Sequence, residues 1–261
     1  MRSLLLVGLV AGSAWAQVAD VKVHVLEERD AKTGRFEVSL YPAAVQLNGR
    51  FTQHVGTFGA VTWHVRERFA LQILGGGNWH NVESAFNASL VDNFHVEAQA
   101  ADSLLWTWGL FGGVEVEPFF AKFTLANGPL VHFGVVLSGG AGAGGTRHQL
   151  KPETASAATY GDTGTRFMGT FAAGFRLSLG KHFTARLEVR DVAYSARIER
   201  VNGCNQSDLS QTDLMDRGAV SASCRSFDSE VDRRLAGNLV KIPGSAVLHN
   251  VGAYLGAGFI F

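Results

Sequence analysis

Apolar and polar side chains alternate with a period of two along most of this chain, the mark of strands whose two faces meet different surroundings. In HVGTFGAVTWHV one face carries Val55, Thr57, Gly59, Val61, Trp63 and Val65, and the other His54, Gly56, Phe58, Ala60, Thr62 and His64. RFMGTFAAGFRLSLG is sharper, with Phe167, Phe171, Ala173, Phe175, Leu177 and Leu179 opposing Arg166, Met168, Thr170, Gly174, Arg176 and Ser178. Eight such segments can be drawn, near residues 35–46, 53–65, 69–81, 105–117, 130–142, 165–179, 183–197 and 246–261.

The links between them differ in length. Arg66-Glu67-Arg68 and Gly180-Lys181-His182 are tight, whereas 82–104, 143–164 and 198–245 are long and polar. Centring the first tight turn on Glu67 sets Val65 against Phe69, Trp63 against Leu71 and Thr62 against Gln72. Centring the other on Lys181 sets Leu179 against Phe183 and Leu177 against Ala185. Apolar meets apolar on one face of both hairpins, as cross-strand pairing requires.

The apolar faces run for about 11 residues, the reach of a tilted strand across a bilayer. Trp63, Trp79, Trp106, Trp108 and Phe183 fall near strand ends, as interfacial aromatics do. The pattern predicts an all-β fold: an eight-stranded antiparallel up-and-down transmembrane β-barrel with short periplasmic turns and long extracellular loops. A β-sandwich would instead hide the apolar faces in a core.

The opposite face carries Glu37, Glu115, Glu117, Arg176, Arg186, Glu188 and Arg190. Charges in a narrow interior must pair. The register opposes Arg176 to Arg186, so either Glu115, Glu117 or Glu188 sits between them or a bulge shifts the pairing. An eight-stranded ring has room for side chains or one small ligand, which makes an open pore a poor reading of this lumen.

Candidate chemistry is sparse. The same register sets His54 opposite His80 at the mouth, a pair that could bind a metal or respond to pH but lacks a third ligand. His132 with Ser138, and His249 with Ser245, have the residue types of a lipid-acting hydrolase but no local nucleophile signature. Glu115 and Glu117 lack the cleft that a glycosidase pair needs. No catalytic residue, resident metal or cofactor is therefore expected.

Composition adds three constraints. Lys plus Arg equals Asp plus Glu, 23 of each, which leaves no cationic excess for nucleic acid. MRSLLLVGLVAGSAWA reads as a signal peptide over 1–16, with Ala14-Trp15-Ala16 as its cleavage site. The mature chain is then a periplasmic segment 17–34 and a barrel 35–261, with 198–245 its longest external loop. Cys204 and Cys224 lie within that loop and suit a disulfide formed in an oxidising compartment, the alternatives being free thiols or an incomplete metal pair. Residues 83–104 space Phe86, Leu90, Val91 and Phe94 as a short amphipathic helix would.

The final octet, YLGAGFIF, places Leu255, Ala257, Phe259 and Phe261 on the apolar side and Tyr254, Gly256, Gly258 and Ile260 inside. Tyr254, Gly256, Phe259 and Phe261 form the pattern of a last-strand assembly signal read by barrel-assembly machinery. The first strand, near Phe36–Val45, is expected to close against it.

VHVLEERDAKTGRFEVSLYPAAVQLN, WHVRERFALQILGGG, FFAKF and the Phe-terminated end resemble the outer-membrane β-barrel domain family found chiefly in myxobacteria and their relatives. The resemblance implies a small barrel without a set activity, some members serving envelope or gliding-motility complexes. The expectation is thus a non-enzymatic structural component in the outer membrane of a Gram-negative bacterium. Its partners would be outer-membrane lipid, lipopolysaccharide, assembly machinery and envelope proteins. A small-solute channel and a lipid-modifying enzyme are the alternatives.

Overall fold

The computed structural model describes residues 32–49, 51–84, 104–124, 130–151, 158–210, 221–241 and 246–261. Eight strands are formed: β1 (Phe36–Gln46), β2 (Thr52–Arg66), β3 (Phe69–Glu83), β4 (Leu105–Thr124), β5 (Leu130–Lys151), β6 (Thr159–Leu179), β7 (Phe183–Ser195) and β8 (Val247–Ile260). Each pairs antiparallel with its neighbours in sequence, and β8 returns to β1 through Phe259↔Val38 and Tyr254↔Ala44, so the sheet closes into a ring. Closure gives each of the eight strands a partner on both sides.

Alternation decides which side chains lie inside. On β8, Tyr254 is 3% exposed and its neighbour Leu255 59%. The outer surface carries Phe36, Leu40, Val61, Trp63, Ile73, Leu110, Phe171, Phe175, Leu187 and Phe259, a belt of large apolar groups around the ring. The interior holds buried arginines and glutamates. This distribution is the reverse of that in a protein folded around an apolar core in water.

The fold class expected from the sequence is corrected in two respects. First, the chain is not all-β: 198–245, expected to be loop, contains helices α1 (Gln206–Ser210) and α2 (Glu230–Lys241). Ser229 caps the start of α2: its hydroxyl accepts the Asp232 N–H at 3.2 Å and donates to the Asp232 carboxylate at 2.8 Å. Second, the expected loop 143–164 is mostly strand. β5 and β6 stay paired from Val131↔Leu179 to Lys151↔Thr159. The expected strand ends within the run GGAGAGGT, at Gly142, but the whole run is strand and its glycines let two backbones approach. A Cβ on Gly142 would lie 1.9 Å from the Leu110 carbonyl oxygen. The transmembrane all-β description with uniformly long outer loops therefore gives way to an eight-stranded antiparallel ring carrying a helical lobe.

The overhanging ends of β5 and β6 are the platform for that lobe. Thr159 donates to Asp232 at 2.9 Å, and the Asn202 side-chain oxygen and main-chain N–H bond the main chain of Asp162 at 2.9 and 2.7 Å. Leu150, Ile198, Val201, Leu209, Ala236 and Val240 form one apolar cluster with the residues that fill the mouth of the ring.

The disulfide Cys204–Cys224 ties the lobe together. Replacing both cysteines by Ser should destabilise the lobe by about 3 kcal/mol while leaving the ring paired. Limited proteolysis checks this: faster cleavage between 204 and 224 with an intact ring is expected, and an unchanged cleavage rate would contradict it.

Candidate functional site

The interior is stratified. Near the tight turns lies an ion-pair network built by parity, since Glu37 on β1, Glu115 and Glu117 on β4, Arg176 on β6 and Arg186, Glu188 and Arg190 on β7 all occupy inward positions. Arg176 and Arg186 do stand opposite each other across β6 and β7. Glu115 resolves the conflict: one carboxylate oxygen accepts from Arg176 at 2.7 Å and the other accepts from Arg186. Glu37 also takes both, at 3.4 and 3.3 Å, together with the Thr184 hydroxyl at 2.8 Å and the His64 ring at 3.0 Å. Glu188 accepts from Arg186 at 3.0 Å, Arg190 at 2.7 Å and the Tyr41 hydroxyl at 2.7 Å.

Glu117 accepts from Arg176 and, at 2.8 Å, from Lys32. Lys32 precedes β1 and is 3% exposed, so residues from the segment expected to be periplasmic close this end of the ring. Burial, and then the Arg176 charge, hold the Lys32 ammonium below its usual pKa, with Glu117 opposing both. Sequence parity could not find Lys32, because it lies outside any strand. Tyr41, His64 and Thr184 were within reach of parity, lying on the same faces as the charges.

Towards the opposite end the charges give way to rings. Tyr41, Tyr254, Phe58, Trp106 and Phe111 contact one another in sequence, with centroids 5.3–6.2 Å apart, and Met168 is buried beside them. Trp106, expected at the outer interface, is thus an interior residue. Between the two layers Gln72, Ser138 and Arg190 border a cavity of about 10 Å³, room for a water molecule at most. Among the described residues the interior thus holds a layer of ion pairs and a layer of rings.

The proposed histidine pair does not form. Gly56 pairs with Asn78 but Val55 pairs with His80, so β3 bulges at Trp79 and the register moves by one residue. His54 then faces Asn81, while His80 turns outward. His54 is held by Gln46 at 2.6 Å and accepts the Trp106 N–H at 3.0 Å. A similar slip at the tight turn pairs Phe69 with Arg66 instead of Val65, although Trp63↔Leu71 and Thr62↔Gln72 stand as the pattern set them. Among the described residues no group of three His, Cys, Asp or Glu side chains could hold a metal.

Neither hydrolase arrangement assembles from the described residues. His132 and Ser138 are both buried on the inner face of β5, His132 edge-on to Phe120 at 5.5 Å. His249 bonds Asp191 at 2.7 Å on the outer surface, and Ser245 lies outside the described residues. The signal peptide 1–16, most of 17–34 and the segment 85–103 are likewise outside them.

No protein-family model matches the chain, and no curated protein does. Among solved structures, the N-terminal β-barrel domain of Pseudomonas aeruginosa OprF aligns at 11% identity over 88% of this chain and 98% of that one, with a TM-score of 0.37. Ail, the attachment invasion locus protein of Yersinia pestis, aligns at 10% identity over 88% and 99%, with a TM-score of 0.38. The myxobacterial-type resemblance is not among these findings and rests on the short motifs alone.

Proposed function

We propose that this protein is a non-enzymatic outer-membrane component whose filled ring holds the disulfide-tied lobe as a contact surface for other envelope proteins. The observation that carries this reading is the partition of side chains: a belt of exposed aromatic and aliphatic groups outside, and a network of buried ion pairs inside. Such an exterior is stable against lipid acyl chains and unstable in water, where an apolar belt on this scale would associate. A closed antiparallel ring also satisfies its backbone groups internally, as residence in hydrocarbon demands.

In this reading residues 1–16 direct export, assembly machinery reads the final octet, and lipid and lipopolysaccharide surround the belt. The octet's geometry supports its role in closure: Ile260 is inside, Phe259 and Phe261 are outside, and the Phe261 N–H donates to the Phe36 carbonyl at 2.9 Å. The packed interior favours a scaffold over a channel. Purified protein in planar bilayers is expected to give no single-channel steps, and steady, reproducible steps would overturn the filled-interior reading. Recovery of the native protein in the soluble periplasmic fraction would overturn the outer-membrane location.

A further inference from the structure

Beside the lobe, a cleft of about 570 Å³ opens between the overhang of β6 and the disulfide-tied turn. Its wall carries four guanidinium groups, Arg166, Arg197, Arg200 and Arg225, against two carboxylates, Asp162 and Glu199. We propose that this cleft binds the phosphate monoester of an anionic outer-leaflet glycolipid, with Arg200 and Arg225 as its two binding cations.

The assignment follows from which charges are already engaged. Arg166 is spent on the protein: it donates to the Ser195 carbonyl at 3.0 Å, to the Arg197 carbonyl and to the Thr146 hydroxyl at 2.8 Å, and so forms the floor. Arg197 pairs with Glu199 at 3.1 Å, and Asp162 accepts the Gly164 N–H at 2.8 Å. Arg200 and Arg225 make no side-chain hydrogen bond or ion pair among the described residues; Arg200 acts on Asp208 through its charge alone. The cleft therefore presents two uncommitted cations, enough for a dianion.

Their placement is built rather than incidental. Arg200 precedes the turn Val201-Asn202-Gly203-Cys204, closed by paired bonds between Val201 and Cys204. Asn202 and Gly203 take φ of 52° and 77°, a left-handed pair, and a Cβ on Gly203 would lie 2.1 Å from the Ser223 carbonyl oxygen. Arg225 follows Cys224, and its main-chain N–H donates to the Asn202 carbonyl at 2.9 Å. The disulfide and the turn thus hold both arginines on one rigid lip, which lowers the ordering cost of binding.

The source of the phosphate is argued from height on the ring. Arg166 in the floor adjoins Phe167, which is 76% exposed at the loop-side end of the apolar belt on β6. The cleft therefore begins where the belt ends, at the level of lipid headgroups, and basic pockets at that level suit phosphorylated headgroups. This inference rests on the outer-membrane reading above.

The test uses full-length protein in detergent micelles and follows intrinsic Trp fluorescence or calorimetry. The probes are a phosphorylated diglucosamine lipid, its dephosphorylated counterpart and inorganic phosphate. Saturable binding of the phosphorylated lipid is expected, weakened at least tenfold by the paired substitutions Arg200→Gln and Arg225→Gln and by removal of the phosphates. Arg197→Gln, which removes a cation already paired, should lose less than threefold. Equal affinity for both lipids, or unchanged affinity in the double variant, would overturn the proposal, as would inorganic phosphate binding as tightly as the lipid. A protein that resides in the outer membrane yet ignores the phosphorylated lipid sinks the cleft alone, whereas a soluble periplasmic protein sinks the reading on which it rests.

Discussion

Glu115→Gln is expected to destabilise the folded ring by about 3–5 kcal/mol, because it leaves two buried guanidinium groups facing each other with their shared carboxylate neutralised. Arg176 and Arg186 are directly opposed across β6 and β7, and each is at most 2% exposed. With Glu115 neutral, Glu37 is the only carboxylate left among the described residues that both arginines contact, at 3.4 and 3.3 Å. It cannot also keep its bonds from His64 and Thr184 at full strength. Gln at 115 can still accept a hydrogen bond but supplies no counter-charge in a region where solvent cannot screen. The measurement is the urea midpoint for unfolding of detergent-solubilised protein, followed by Trp fluorescence. Adding Arg186→Met to Glu115→Gln should recover part of the loss, because the excess buried positive charge goes with it. A midpoint unchanged by the single substitution, or a double variant less stable than the sum of its parts, would refute this account of the interior.

Gly142→Leu is expected to prevent the ring from closing between β4 and β5, at a cost of at least ~3 kcal/mol. A side chain at 142 would begin 1.9 Å from the Leu110 carbonyl oxygen and 2.7 Å from the Phe111 Cα. Both obstacles are backbone of the adjacent strand, so no rotamer change relieves them. The strands must part along the Gly142↔Phe111 ladder, and the Phe111–Trp106 contact beside it goes too. Gly169→Ala is the matched control, since nothing lies within 4 Å of its added Cβ, and it should change stability by no more than about 0.5 kcal/mol. Folded yield and electrophoretic mobility without heating report closure. A Gly142→Leu protein that folds like the Gly169→Ala control would show that the glycine-rich seam is not sterically required.

Strand number, facing and hairpin pairing were legible because a period of two survives any twist of the sheet. The seven inward charges were read by parity alone, and all seven are buried together. The conflict between Arg176 and Arg186 was also readable, from the tight turn at Lys181, with a carboxylate between them or a bulge as its two resolutions; the register holds and a carboxylate resolves it. Which carboxylate does it was not readable, because Glu115 lies on β4 and reaches them across the interior. The histidine pair failed for a local reason: one extra residue at Trp79 turns His80 to the outside, and nothing in GGGNWHNV announces a bulge. The second half of GGAGAGGT misled in the opposite direction, since the strand expected to end at Gly142 runs on to Lys151. The helix Glu230–Lys241 did carry a local sign, Ser229 followed three residues later by Asp232, hidden within a polar stretch.

Along the unbulged stretches of strand the sequence by itself determined which residues face in and which face out, since side-chain parity is a property of an extended backbone and needs no partner; at Trp79 and Trp106 it did not. It determined the closing role of the first and last strands too, because a ring has only those two ends to join. Tertiary structure alone decided what the interior does with its charges. The pairing of Lys32 with Glu117, the sharing of Glu115 by two arginines and the edge-on contact of Tyr41 with Tyr254 depend on distances across the ring. Those distances are set by stagger and bulges, which shift register by single residues. The same holds for the lip of the cleft, where a turn and a disulfide bring Arg200 and Arg225, well apart in sequence, to one wall.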